Sequence, residues 1–190
     1  MAQSTMKVVA QAADVTSAHR AKVSAEALRG QIRSQHFAIL ATTGTDGSAD
    51  SAGVSYAAVV ESGQLVLYVM TRRHLRKARD IARQPRVSLV IPIRRRLLWF
   101  MPPATVQLRG EAELLPQDDQ RGTLAFHGFF LGRRILAAYR AMRLRGDDRI
   151  CFVRITLDAT ARSYMVGTSL WQVIRRMEAG AATTDLRGKY

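Results

Sequence analysis

The sequence predicts a mainly β (α+β) protein, a small antiparallel barrel of six or seven strands with covering helices. An unbroken apolar run at 65–70 is typical of a central strand that is covered on both faces. Residues 105–115 alternate between apolar and polar side chains, as a half-buried strand does. Turn sequences at 44–47 and 61–64 connect consecutive strands closely, which favours an antiparallel meander.

The remaining elements follow in order along the chain. Helices are predicted at 24–35 and from 118 or 119 to 126, with a short helical pattern ending at 83. Gly128 and Gly132 bracket residues 129–131, and a further helix is predicted after them to about 144. The predicted strands are 37–42, 48–60, 65–70, 86–91, 105–115, 150–158 and 161–166. These elements form one domain at 23–178, between a mobile N-terminal tail at 1–22 and a frayed C-terminal tail at 179–190.

Charge is the most unusual property of the sequence. It has 29 Lys and Arg against 15 Asp and Glu, a net charge of +14, which favours polyanionic partners such as nucleic acid, anionic lipid or a phosphorylated cofactor. Ten basic residues and one acid, Asp80, lie between Arg72 and Arg96. A second cluster of arginines lies at 133–149.

The first basic cluster begins where a predicted strand leads into a short helix. A helix start offers free N–H groups, and guanidinium groups bind phosphate through paired hydrogen bonds, so such a turn can hold a phosphate. Arginines that only solvate an exposed helix face would give the same pattern. From charge alone, both interpretations stay open.

Two other basic segments raise the question of a membrane. The predicted helix ending at 144 has an apolar stripe, formed by Ile135, Leu136, Tyr139 and Met142, with arginines opposite. Such a helix can lie on a membrane surface, but a helix covering a soluble domain is the favoured interpretation. The basic and aromatic segment 92–103 is expected to be a loop that closes on the protein itself.

Several classes of site are not expected. A single cysteine, Cys151, excludes an internal disulfide, and its place among alternating apolar residues predicts an inert core thiol. The four histidines are too scattered to indicate a metal site. No dinucleotide, Walker or nucleophile-elbow pattern is present, so no catalytic side chain is assigned. With no secretory signal and no apolar run long enough to span a bilayer, a cytoplasmic protein is expected.

The order of strands and turns over 28–166 resembles the pyridoxamine 5′-phosphate oxidase-like superfamily of FMN-binding split barrels. The most specific part of this resemblance is Thr71, five residues before the pair Arg76-Lys77, followed by the sequence Arg-x-Pro-Arg-Val-Ser-Leu at 83–89. The resemblance implies a split β-barrel and a homodimer that binds two flavins at the subunit interface.

The resemblance also implies a role for individual residues. The flavin ring would lie against the second strand, and the third strand and the turn after it would hold the ribityl chain and the phosphate. The implied cofactor-binding residues are Val54, Ser55, Tyr56, Met70, Thr71, His74, Arg76 and Lys77, and Trp99, Phe129 and Phe130 are weaker candidates for the substrate side. FMN is the expected cofactor, a deazaflavin with an anionic tail is the alternative, and heme is not favoured.

The sequence departs from the oxidases at several positions. Leu75 replaces the serine that often precedes their Arg-Lys pair, Thr105 replaces a glutamine, and their C-terminal Arg-x-His motif is absent. Oxidation of pyridoxamine phosphate itself is therefore not expected. The favoured function is a flavin-dependent oxidoreductase acting on an unidentified small molecule. The alternative is a split barrel that binds heme, anionic lipid or nucleic acid without turnover, and nucleic acid is disfavoured because the aromatic residues do not interleave with the arginines.

Overall fold

The structure is a computed structural model that describes residues 24–93, 104–166 and 181–187. The predicted N-terminal tail at 1–22 and the candidate residue Trp99 lie outside these ranges. The helices are α1 (Ala25–Ser34), α2 (Arg76–Arg83), α3 (Gln120–His127) and α4 (Phe130–Leu144). The strands are β1 (Phe37–Thr43), β2 (Ala49–Glu61), β3 (Gln64–Arg72), β4 (Arg86–Ile93), β5 (Ala104–Leu115), β6 (Ile150–Leu157), β7 (Thr160–Tyr164) and β8 (Ala181–Asp185).

Six of the strands form a closed antiparallel barrel. The sheet order is β4-β1-β2-β3-β6-β5-β7-β8, and an additional pairing of β4 with β5 closes the first six strands into a ring. Strands β7 and β8 extend the sheet from β5. The predicted split-barrel fold is confirmed, with eight strands in the described residues against the six or seven expected.

The extra strand, β8, lies in the segment predicted to fray. Residues 181–185 pair antiparallel with β7, from Ala181 opposite Tyr164 to Asp185 opposite Thr160. Its sequence, Ala-Ala-Thr-Thr-Asp, has no large apolar residue that would give a strand its alternating pattern. The strand therefore depends on backbone pairing with β7 and gives no signal of its own in the sequence.

Strand β3 runs through the middle of the molecule and is covered on both faces. Leu67 and Val69 point into the barrel, and Val66 and Tyr68 lie on the outer face in a second apolar cluster with residues of α3 and α4. All five residues from 65 to 69 are buried. This confirms the two-sided burial that the apolar run predicts.

The helices attach to the barrel by specific contacts. Helix α1 places Leu28 and Ile32 in the barrel cluster, and the Tyr56 hydroxyl of β2 donates a hydrogen bond to the Ile32 carbonyl at 2.7 Å. The Asp119 carboxylate caps α3 by accepting a hydrogen bond from the Gly122 N–H at 2.7 Å. In the described part of the chain, no helix has the length and apolarity needed to cross a membrane.

Candidate cofactor site at the divergence of two strands

Strand β2 changes its pairing partner along its length. Its first half pairs with β1, from Ala49 opposite Thr43 to Ser55 opposite Phe37. Its second half, 56–61, pairs with β3. Beyond Val69, strand β3 continues alongside β6 and no longer pairs with β2. The barrel therefore opens between 49–55 of β2 and 70–72 of β3.

Helix α2 begins beside this opening. Strand β3 ends at Arg72, and the chain turns through 73–75 into α2. The Arg76 Nε lies 3.5 Å from an oxygen of the Asp50 carboxylate, which belongs to the half of β2 that does not pair with β3. A Cβ atom at Gly44 would come 2.9 Å from an Asp46 carboxylate oxygen and 3.3 Å from the Arg76 guanidinium, so glycine in the β1–β2 turn leaves room for both side chains. This ion pair thus joins α2 to the half of β2 that pairs with β1 and not with β3.

The start of α2 has an unusual charge pattern. Leu75 occupies the N-cap position and its side chain makes no capping hydrogen bond. The first turn has no acidic residue, and it carries Arg76 and Lys77 instead. Cations at a helix N-terminus oppose the helix dipole, whereas an anion bound there would satisfy the free N–H groups and both side-chain charges. The arrangement suits a phosphate group.

Thr71 supplies a buried polar group immediately before this turn. Its side chain is 1% exposed, and its Oγ1 has no hydrogen-bond partner among the described residues. Buried polar atoms in folded proteins nearly always have a hydrogen-bond partner. A buried hydroxyl without one, beside a candidate site, is therefore able to form a hydrogen bond with a bound ligand.

The other residues predicted to contact the flavin ring and the ribityl chain differ in how they face the opening. Val54 and Tyr56 point into the barrel core, so only their backbone can face the opening. Ser55 is partly exposed, and the alternating burial of residues along β2 places its side chain on the outer face of the barrel. Met70 is partly buried against the apolar cluster under α3 and α4, and His74 is exposed in the turn.

Of the two predicted substrate-side residues that the structure describes, Phe129 is the one that packs near this strand. Its ring stacks on the His36 imidazole, with the ring centroids 3.7 Å apart and an angle of 7° between the planes. The His36 carbonyl accepts a hydrogen bond from the Tyr56 N–H at 3.1 Å, so the stacked pair lies beside residues 54–56. Phe130, by contrast, is 70% exposed.

His36 was missed by the sequence argument, although its position directly before β1 could have indicated it. Its Nδ1 is buried and has no hydrogen-bond partner among the described residues. The pairing of β1 with β2 brings it next to the strand on which the ring was predicted to lie.

Asp80 is a second residue that the sequence argument did not assign. Its side chain is buried under α2, where one oxygen accepts a hydrogen bond from the Thr42 hydroxyl at 3.2 Å. The other oxygen accepts one from the Arg83 guanidinium at 2.7 Å. Asp80 thereby fixes α2 on β1 and holds the basic turn in place. Its isolation as the one acid in a cluster of ten basic residues was the available signal.

The β1–β2 turn next to Arg76 is held by its own hydrogen bonds. The Asp46 carboxylate accepts hydrogen bonds from the Ser48 hydroxyl at 2.6 Å and from the Ser48 N–H at 3.1 Å. These bonds lower the pKa of Asp46, with a small further contribution from the positive charge of Arg76. Asp46 therefore stays ionised and keeps the turn ordered over a wide range of pH.

Beside α2, a cavity of about 570 Å³ is lined by Arg76, Arg79 and Arg83, together with Thr45, Asp80 and Ala82. In the described ranges, no three His, Cys, Asp or Glu side chains lie close enough to hold a metal ion. Three of the six residues that line the cavity are arginines, so its polar chemistry is mainly that of an anion site.

Comparison with known proteins identifies a family. Residues 24–157 match the family described as pyridoxamine 5′-phosphate oxidase. No curated protein matches the sequence.

Several solved structures resemble this one. The conserved hypothetical protein Rv2991 from Mycobacterium tuberculosis is 22% identical, with 77% of this chain and 86% of that chain covered and a TM-score of 0.53. A heme binding protein from Mycobacterium smegmatis is 21% identical, covering 86% and 58% of the two chains, with a TM-score of 0.57. HutZ, the heme storage protein from Vibrio cholerae, is 14% identical, with 70% of this chain and 89% of that chain covered and a TM-score of 0.53. At these identities the likeness establishes a shared fold.

Proposed function

The chain belongs to the pyridoxamine 5′-phosphate oxidase family, and from that premise we propose that it binds a flavin where β2 and β3 diverge. FMN is the favoured cofactor and a deazaflavin is the alternative. The bound flavin would serve an oxidoreductase acting on a small molecule. The observation that carries this proposal is the uncapped, cationic start of α2 beside residues 49–55 of β2, the half of the strand that does not pair with β3.

The phosphate of the cofactor would lie at the start of α2. The Arg76 guanidinium can donate two parallel hydrogen bonds to a phosphate, and the Lys77 ammonium adds a compact positive charge. The Thr71 hydroxyl, buried and without a partner among the described residues, would bind a polar oxygen of the ribityl-phosphate chain. The residues present therefore fit the polar half of a flavin.

The ring would lie further along β2, against the backbone of 54–56 and the Ser55 side chain. The His36–Phe129 pair would form an aromatic wall beside it. When bound, the flavin supplies the hydride or electron chemistry. The side chains of this protein bind and orient the cofactor, and no side chain is assigned a proton-transfer role.

A second copy of the chain would complete the site. On the outer face of β1, Phe37 is 50% exposed and Ile39 is 42% exposed, and Phe37 pairs across the sheet with Ser55. An apolar face beside the proposed ring position favours a homodimer with the cofactor at its interface.

Heme binding without turnover is the second candidate. Two of the structures with the same fold are named for heme binding or heme storage. The observation in this chain that favours heme is the buried Nδ1 of His36, which has no partner among the described residues. The absorption spectrum of the purified protein separates the two candidates, because a bound heme gives a Soret band and a bound flavin gives the visible bands of its own ring system.

The phosphate assignment is tested with the double variant Arg76→Ala, Lys77→Ala. We expect wild-type protein to purify with flavin, or to take up added flavin, and the double variant to be folded but colourless. The matched control is Arg134→Ala with Arg140→Ala, which removes two exposed charges from α4. Circular dichroism checks the fold, and mass spectrometry identifies any released cofactor. Full cofactor retention by the Arg76, Lys77 variant would reject the assignment.

A further inference from the structure

Helix α4 covers the barrel with only one of its faces. Gly132 and Leu136 are buried against the body of the protein. Ile135, Tyr139 and Met142 on the same side are half-buried. This is the apolar stripe that the sequence predicts, and it accounts for the role of α4 as a covering helix.

The opposite face carries a second apolar feature that this role does not explain. Phe130 is 70% exposed and Leu144 is 90% exposed, and the exposed residues Ala137 and Ala141 lie between them. At about 100° per residue, these four side chains fall within a sector of roughly 60°. We call them the outer ridge. Leu131, which is 49% exposed, adds apolar surface near its N-terminal end.

Arginines flank the outer ridge on both sides. At the same helical spacing, Arg133 and Arg140 lie on one side of the ridge and Arg134 lies on the other. Arg143 and Arg145 add charge near the C-terminal end, and residues 130–146 contain no acid. Within the described residues, none of these five arginines forms an ion pair.

We propose that the outer face of α4 binds the surface of an anionic lipid bilayer. The outer ridge would enter the boundary between headgroups and acyl chains, and the flanking arginines would reach the lipid phosphates with their long side chains. Such binding requires a helix that lies parallel to the membrane, with apolar side chains along the middle of one face and cationic side chains along both edges of that face. The 15 residues of α4 supply it over about 22 Å.

Other occupants fit this face less well. A second copy packed face to face would bring the two sets of arginines together with no acid to compensate them. Nucleic acid would contact the arginines but would leave the apolar ridge unused, because phosphate binding gains nothing from exposed Phe and Leu. The match between cationic edges and anionic headgroups therefore points to lipid. The inference does not depend on the flavin proposal.

The proposal is tested by sedimentation of the full chain with two kinds of vesicle. One contains phosphatidylcholine only, and the other has a third of its lipid replaced by phosphatidylglycerol. We expect binding to the anionic vesicles that weakens with added salt, and little binding to the neutral ones. Phe130→Gln with Leu144→Gln should weaken binding about tenfold by removing apolar insertion. Arg134→Gln with Arg140→Gln should weaken it by a similar factor, roughly tenfold.

The matched control is Val60→Gln with Arg162→Gln, which removes one exposed apolar and one exposed cationic side chain away from α4. This control should bind the anionic vesicles as the wild type does. All the substituted side chains are exposed, and circular dichroism checks that each variant folds. Failure to bind anionic vesicles would overturn the proposal. Equal binding of the Phe130, Leu144 variant and the wild type to anionic vesicles would also overturn it, since net charge alone would then explain binding. A variant that loses self-association, in a protein that binds no lipid, would show that the face binds a second copy instead.

Discussion

A buried hydroxyl without a partner lowers the stability of a folded protein, and Thr71 has one directly before the basic turn. Valine has nearly the same shape and no hydroxyl to desolvate. We therefore expect Thr71→Val to leave the cofactor-free protein equally stable or to stabilise it by about 1 kcal/mol. The same change should weaken flavin binding, because it removes a group proposed to contact the cofactor.

Urea denaturation of the cofactor-free protein and titration with FMN measure the two effects separately. Opposite signs for stability and affinity would distinguish a ligand contact from a packing role. A loss of stability in the cofactor-free Thr71→Val protein would contradict the prediction, since it would mean that the hydroxyl already has a favourable partner.

Two buried tyrosines predict how stability depends on pH. Burial raises the pKa of Tyr56 far above its usual value. Burial, together with the hydrogen bond to Glu61 and its negative charge, raises the pKa of Tyr68 to about 12. In the unfolded chain both titrate near 10, so the unfolded state loses their protons first as the pH rises. This stabilising contribution is complete below pH 10 and is lost above it, by up to about 1.4 kcal/mol per pH unit for each tyrosine.

Urea midpoints measured between pH 9 and pH 11 (approximately the range in which an unfolded tyrosine titrates) would show this fall. The variant Tyr56→Phe with Tyr68→Phe should have a flatter profile over the same range. An equally steep profile in that variant would assign the pH dependence to other groups.

Helix α2 departs from the usual rules for helix ends, as does α4, which also lacks a side-chain cap and an acidic residue in its first turn. Helix α2 lacks an N-terminal cap, and basic residues occupy the turn where acidic residues are favoured. Such departures from local rules are expected where function needs them. The sequence predicted this basic turn, because a strand, a cluster of charge and a helical pattern follow each other closely. It did not predict Asp80 as the residue that holds the turn, because the contact with Thr42 joins residues 38 positions apart.

Replacement of Asp80 tests that anchoring role. In Asp80→Ala, the Thr42 hydroxyl, which is 4% exposed, loses the carboxylate to which it donates. We expect the free energy of unfolding to fall by about 2 kcal/mol and flavin affinity to fall with it, because the basic turn loses its fixed position. The matched control is Arg83→Ala, which breaks the other contact of Asp80 from a side chain that is 47% exposed.

Arg83→Ala should cost less than about 1 kcal/mol, since the half-exposed Arg83 guanidinium gains little from the ion pair. Chemical denaturation and flavin titration of both variants measure these effects. An effect of Asp80→Ala on stability no larger than that of Arg83→Ala would contradict the anchoring role.

At the scale of the whole molecule, local patterns predicted the barrel and its covering helices. The apolar run of β3 and the alternation of β5 reflect burial, which a sequence records directly. The divergence of β2 and β3 could not be predicted this way. The divergence arises because the first half of the 13-residue strand β2 pairs with β1 and the second half pairs with β3. Both halves have the sequence pattern of an extended strand, so the change of partner leaves no signal in the sequence. The second apolar face of α4 also went unnoticed, because a helix is usually assigned one buried side.

Across the whole molecule, the outer face of β1 predicts self-association. Ile39 is 42% exposed and lies between Val90 of β4 and Gly53 of β2, beside the exposed ring of Phe37. We expect the full chain to sediment as a dimer. Ile39→Glu should weaken the dimer by about two orders of magnitude, because each interface would have to bury an unpaired carboxylate.

The control for this prediction is Val60→Glu, which places the same charge at another exposed position of the sheet, 44% exposed in the wild type. It should leave the dimer intact. If the flavin lies at the interface, Ile39→Glu should also weaken cofactor binding while the monomer stays folded, and Val60→Glu should not. Sedimentation velocity at several concentrations, read at the flavin absorption band, follows assembly and cofactor together. A dimer that survives Ile39→Glu would place the interface elsewhere, and a monomer that keeps its flavin at full affinity would show that one chain completes the site alone.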